Sequence, residues 1–141
     1  MKFRIFVLIF AFVASISGCT NKEKDESKVT AENIIQFIQA EVPEFISKGQ
    51  VDYGAIGNLR PYKLSNAENE RRPDDILIYI FDSEKAMRNE SKSLSFDITG
   101  ITALKTYEIK NAIVVHMYPW GNFEKYDEKI QVAMQKLNSN E

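Results

Sequence analysis

His116 is the only histidine in the 141 residues, and Cys19 is the only cysteine. Any reactive centre must therefore be assembled from these two, the acids, the hydroxyls and the basic side chains. A zinc site takes three or four His, Cys or acidic ligands at set spacing, and His and Cys cannot supply that set here. A Ser-His-Asp triad would have to use His116 in mid-strand, with no Gly-x-Ser-x-Gly elbow to present its serine. Asp74-Asp75 and Asp82 bound one apolar run at its two ends. That separation is too large for the about 5–10 Å between paired glycosidase carboxylates. Gly54-Ala55-Ile56-Gly57 lacks the lysine and third glycine of a phosphate loop. Arg71-Arg72 beside Glu68 and Glu70 reads as a self-neutralising surface loop. The sequence thus points to no catalytic residue, no metal and no cofactor.

One group of side chains is suited to binding instead: Lys105, Tyr107, His116, Tyr118 and Trp120. Tyrosine and tryptophan are over-represented where partners bind tightly. Gly121-Asn122 then opens a helix, and helix starts attract anions. The competing use of Trp120 is structural, as a staple with Phe123 that seats the helix end in the core.

The N-terminus carries a different chemistry. Residues 1–19 begin with Lys2 and Arg4, continue through a nearly unbroken apolar stretch from Ile5 to Ala14, and end in Ser15-Ile16-Ser17-Gly18-Cys19. Positive, apolar and small segments in that order form a secretory signal. The apolar run of about 12 residues is too short for a spanning helix, which needs about 20. Ile16-Ser17-Gly18-Cys19 resembles the lipobox of bacterial prolipoproteins: an aliphatic residue, two small residues and an obligatory cysteine. The resemblance covers about 19 residues. It implies that the Cys19 thiol carries a diacylglyceryl group and that the signal is cut after Gly18. It also implies that the mature chain is lipid-anchored to a cell membrane on its extracytoplasmic side. In a two-membrane envelope the outer membrane is the alternative site, because Thr20 is not the aspartate associated with inner-membrane retention.

With Lys2 and Arg4 removed, 16 basic residues face 20 acidic ones, a net charge of −4. That balance argues against nucleic acid, which needs a basic surface, and against a polybasic membrane footprint. Thr20 to Lys28 has no apolar residue and mixed charge, which predicts a solvated tether. Nine residues reach roughly 30 Å at most. The expected division is a signal peptide at 1–18, a lipidated cysteine and charged tether at 19–29, and a single domain at 30–141.

The elements that must hold the candidate surface follow from patterning. Thr30 caps a helix over 31–41 with a stripe of Ile34, Ile38 and Val42. Residues 49–75 are broken by Gly49, Gly54, Gly57, Pro61 and Pro73, with a short strand near Leu59–Leu64 and a surface loop from Asn66 to Asp75. Ile76 to Phe81 is apolar on both faces and predicts a central strand. Asp82 or Ser83 caps a surface helix to about Ser93. Thr102–Ile109 and Ala112–Tyr118 predict a hairpin about Lys110-Asn111, in which Asn111 tolerates the left-handed turn. That register pairs Ile109 with Ala112, Tyr107 with Val114 and Lys105 with His116. Phe123, Tyr126, Ile130, Ala133, Met134 and Leu137 make the stripe of a last helix.

The expected fold is a small two-layer α+β sandwich, with an antiparallel sheet of three to four strands and two to three helices. Its strand-helix-strand-strand-helix run has the order of ferredoxin-like sandwiches. The functional expectation is a non-enzymatic binding or interaction module whose partners are the bilayer, through acylated Cys19, and an envelope protein. Two alternatives stand beside it. One is a solute sensor with 49–75 as a lid. The other is a hydrolase with an unrecognised carboxylate site.

Overall fold

The computed structural model describes residues 28–66, 74–96, 102–119 and 124–139. The elements are α1 (Ala31–Glu41), β1 (Ile46–Gln50), β2 (Tyr62–Asn66), β3 (Asp74–Ile80), α2 (Glu84–Glu90), β4 (Thr102–Ile109), β5 (Ala112–Pro119) and α3 (Glu124–Ser139). The five strands form one antiparallel sheet in the order β1-β2-β3-β5-β4. The α+β sandwich is therefore present, with one strand more than expected. The added strand, β1, is an edge strand exposed along its whole length and bulged between Ser47 and Gly49. An edge strand with no buried face leaves no alternating pattern to read.

The sheet alternation sorts the core into two halves. Leu64, Ile76, Ile78, Ala112 and Val114 face α1 and α3, where Ile34, Ile38, Tyr126, Ile130 and Leu137 meet them. Leu77, Tyr79, Ile113, Val115 and Met117 face the other way, onto Met87 of α2 and onto Ile56, Leu59, Leu94 and Phe96. This second cover explains why β3 and β5 are apolar on both faces. It also departs from a ferredoxin-like plan. β3, α2, β4 and β5 form a split β-α-β unit, but the neighbour on the far side of β3 is β2, which precedes β3 in the chain.

Residues 51–61 pack against the sheet. Val51 and Leu59 close onto the sheet, Ile56 and Leu59 bridge each other, and the Tyr79 hydroxyl donates to Gly54 O at 2.7 Å. Burial pushes the Tyr79 phenol pKa up to about 12, with Tyr53 adding to the shift. Gly54 has φ +76°, and a Cβ there would lie 2.7 Å from Leu77 Cδ1. The polar loop expected from Asn66 to Asp75 also shrinks. Asn66, Asp74 and Asp75 are in strands, with Asn66 and Asp74 buried. Residues 67–73, with Arg71-Arg72, lie outside the described residues.

The β4–β5 hairpin keeps the register read from the sequence, from Ile109↔Ala112 to Lys105↔His116. Its left-handed residue is Lys110, at φ 52°, and not Asn111. Asn111 has a different task. Its buried side chain accepts from Val29 N at 2.8 Å and donates to Phe81 O at 2.9 Å and to Val29 O at 3.3 Å. Val29 is buried as a result, so the folded domain takes in a residue expected in the tether. Thr30 then caps α1 with a reciprocal box through Asn33.

Two substitutions probe these contacts. Asn111→Ala strands a buried amide and two carbonyls and should cost about 2–3 kcal/mol. Gly54→Ala combines a positive φ with overlap onto Leu77 and should cost about 2 kcal/mol or more. Both losses are read as a lower urea midpoint at an unchanged slope.

Candidate binding site

The strand register divides the sheet into two ends. One end holds Ile80, Ile109, Lys110, Asn111 and Ala112, with Val29 clasped to it. The other holds Asn66, Asp74 and Tyr118. At about 3.3 Å per residue, His116 stands about 13 Å along β5 from Ala112. We call these the tether pole and the distal pole.

Most polar side chains of the interior lie toward the distal pole. His116 of β5 is fully buried on the helix-facing side, between Phe45 (centroids 6.1 Å apart, edge-on) and Tyr118 (4.9 Å, tilted). Its Nε2 is 3.9 Å from Asp74 Oδ1, beyond hydrogen-bonding reach. Neither ring nitrogen has a hydrogen-bond partner among the described residues. Beside it, Asn66 Nδ2 donates to the Tyr126 hydroxyl at 2.6 Å. Toward β4, Asp127 of α3 accepts from Lys105 Nζ and from the Tyr107 hydroxyl. Four of the five residues nominated from the sequence, Lys105, Tyr107, His116 and Tyr118, are thus brought to one site. Trp120, with Gly121-Asn122 and Phe123, lies outside the described residues, as does Cys19.

The electrostatics follow from burial and these contacts. Burial lowers the His116 pKa to about 4; Asp127 pulls against the shift and Lys105 adds to it. Partial burial opposes the charge on Asp127, but hydrogen bonds from Lys105 and Tyr107, together with the Lys105 charge, outweigh it. The carboxyl is held below its ordinary value. Burial, and then the bond to Asp127, raise the Tyr107 phenol far above its ordinary value. A general acid would need a carboxyl shifted upward; the Asp127 shift is downward. The arrangement is suited to recognition, with aromatic faces, one paired cation and a buried imidazole.

Asn66, Asp74, Tyr126 and Asp127 were missed as site residues. They come from three separate places in the chain, and no spacing links Asn66 or Asp74 to the Tyr126-Asp127 pair. The one usable signal was the tyrosine and aspartate side by side at the start of a helical stripe. Among the described residues, no group of three or more His, Cys, Asp or Glu is placed to hold a metal ion. No described helix is long and apolar enough to cross a membrane. An open hollow of about 540 Å³ lies at the tether pole, with Lys28, Arg60, Glu32 and Asp82 among its walls, so both charge signs line it. No protein family, no curated protein and no solved structure matches the chain.

The buried histidine makes stability depend on pH. An unfolded histidine titrates near 6.5, so above that pH both states are neutral and the group adds nothing. As pH falls from 6.5 towards 4, the unfolded chain takes up a proton that the folded chain refuses. Stability should fall through that window by about 3 kcal/mol at most. His116→Leu removes the proton site and should flatten the window when denaturant midpoints are compared across it.

Proposed function

We propose that the chain is a bacterial lipoprotein, held at a membrane by acylated Cys19, that binds an envelope protein through its distal pole. The observation that carries this reading is the opposition of the two poles. Asn111 clasps Val29 at one end of the sheet, while Lys105, His116 and Tyr118 lie toward the other, with the Tyr107 hydroxyl reaching Asp127 beside Lys105. A chain tethered through residues 20–28 presents that far end away from the bilayer, where a partner in the envelope can reach it. Two acyl chains hold a protein firmly to a membrane, where one holds it only marginally. The partner is expected to bring aromatic and hydrogen-bonding groups to meet the tyrosines, since hot spots on the two sides of an interface pair.

Two experiments test the two halves of this reading. Cys19→Ala should release the protein from membranes or leave an uncut precursor; normal processing with full membrane retention contradicts the anchor. A photo-crosslinking residue at Tyr118 should trap a single defined partner in cells, and the same residue at Lys28 should not. Equal adducts from both positions, or none from Tyr118, contradict the distal pole as the binding face.

A further inference from the structure

Native proteins leave few buried polar groups without a hydrogen bond, and each exception calls for a reason. In His116 both ring nitrogens are exceptions at once. The neutral ring is held by the edge of Phe45 and the tilted face of Tyr118, contacts that need no proton. Two of the groups around it would stabilise its charged form once a proton is taken up. Asp74 Oδ1 stands 3.9 Å from Nε2, so a shift of about 1 Å makes a charge-assisted hydrogen bond. The Tyr118 ring, with its centroid 4.9 Å away, is within cation–π range. The Lys105 cation, which opposes a second positive charge, is bonded to Asp127.

Resting on the reading of the distal pole as the binding face, we propose that His116 makes this face a proton-operated switch. Uptake of one proton draws the imidazolium onto Asp74 and changes how Tyr118 is presented to a partner.

The placement of the moving parts favours a local change. Asp74 is the first residue of β3, one step beyond the last β3–β5 pair, Asp75↔Met117. Tyr118 is the penultimate residue of β5. Asp74 is also paired with Asn66 of β2, and Tyr118 with Ala103 of β4, so the change proposed is one of side chains, with the ladder from Ile76 to Ile80 staying in register. The charged and titratable groups around the ring are Asp74 from β3, Lys105 and Tyr107 from β4, Tyr118 from β5, and Tyr126 and Asp127 from α3. Burial, which sets the folded imidazole near a pKa of about 4, keeps the switch off at neutral pH. An acidified envelope or cell surface turns it on.

The test is an NMR pH titration of the chain from residue 19 to 141, following the His116 ring and backbone amides. The expected result is a His116 midpoint well below the ordinary 6.5. The amides of Asn66, Asp74 and Tyr118 should move at that same midpoint, and those of Val29 and Asn111 should stay fixed. In Asp74→Asn the ring should titrate at still lower pH and the distal amides should lose their common transition. His116→Gln should abolish that transition whether or not the Asp74 variant folds. A ring that titrates alone overturns the switch, as does loss of all amide signals together through unfolding. The titration uses no partner, so a failed crosslink from Tyr118 and a failed titration remain separate results.

Discussion

Asn111 commits its whole side chain to main-chain groups of two distant segments, Val29 at 82 residues' separation and Phe81 at 30. The rest of the arrangement depends on this clasp. It fixes where the chain enters the fold, one residue before the Thr30 cap that starts α1. Phe81 N also donates to Asn111 O, so the end of β3 and the hairpin turn are closed against each other from both sides. The turn itself is unusual, because the residue with positive φ is Lys110. The hairpin therefore places a lysine in the left-handed position and leaves Asn111 free to bond inward. An asparagine in the left-handed position, the cheaper choice for the backbone, would give up that geometry.

Polarity is uneven along the sheet. Among the described residues, the one buried polar side chain at the tether pole, Asn111, is hydrogen-bonded through both ends of its amide. At the distal pole, Asn66, Asp74 and His116 are all buried, and His116 has no hydrogen bond among the described residues. A domain of this size has little stability to spare, and an apolar residue at 116 would serve packing better. A polar interior concentrated toward one end, with His116 on the same strand as Tyr118 and paired across from Lys105, is the pattern expected where function overrides packing. The apolar majority of the core, on both faces of β3 and β5, carries that cost.

Strong periodic signals were legible and local exceptions were not. The α1 stripe and its Thr30 cap, the central strand, the hairpin register and the α3 stripe each depend on spacing within a few residues, and each is present among the described residues, with the central strand at Asp74–Ile80 rather than 76–81 and Phe123 outside the described residues. β1 was invisible because Ile46-Ser-Lys-Gly-Gln50 buries nothing and so carries no alternation. Residues 51–61 looked like an open loop because their cover of the second face rests on scattered anchors, Val51, Ile56 and Leu59, between glycines. At the site, Lys105 facing His116 followed from a two-residue turn. Asp74 and Asp127 did not, because their approach to His116 and Lys105 is set by the packing of β3 and α3, which no local pattern encodes.

The central claim is that the chain enters the fold at the Asn111 clasp, at the opposite end of the sheet from the proposed binding face. Amide hydrogen exchange at Val29 tests it most directly. If the clasp holds, the Val29 amide exchanges only through global unfolding, at the protection of a core strand residue such as Ile113. If Val29 exchanges as fast as an exposed tether residue, the chain is not pinned at the hairpin. The opposition of tether and binding face then loses its basis.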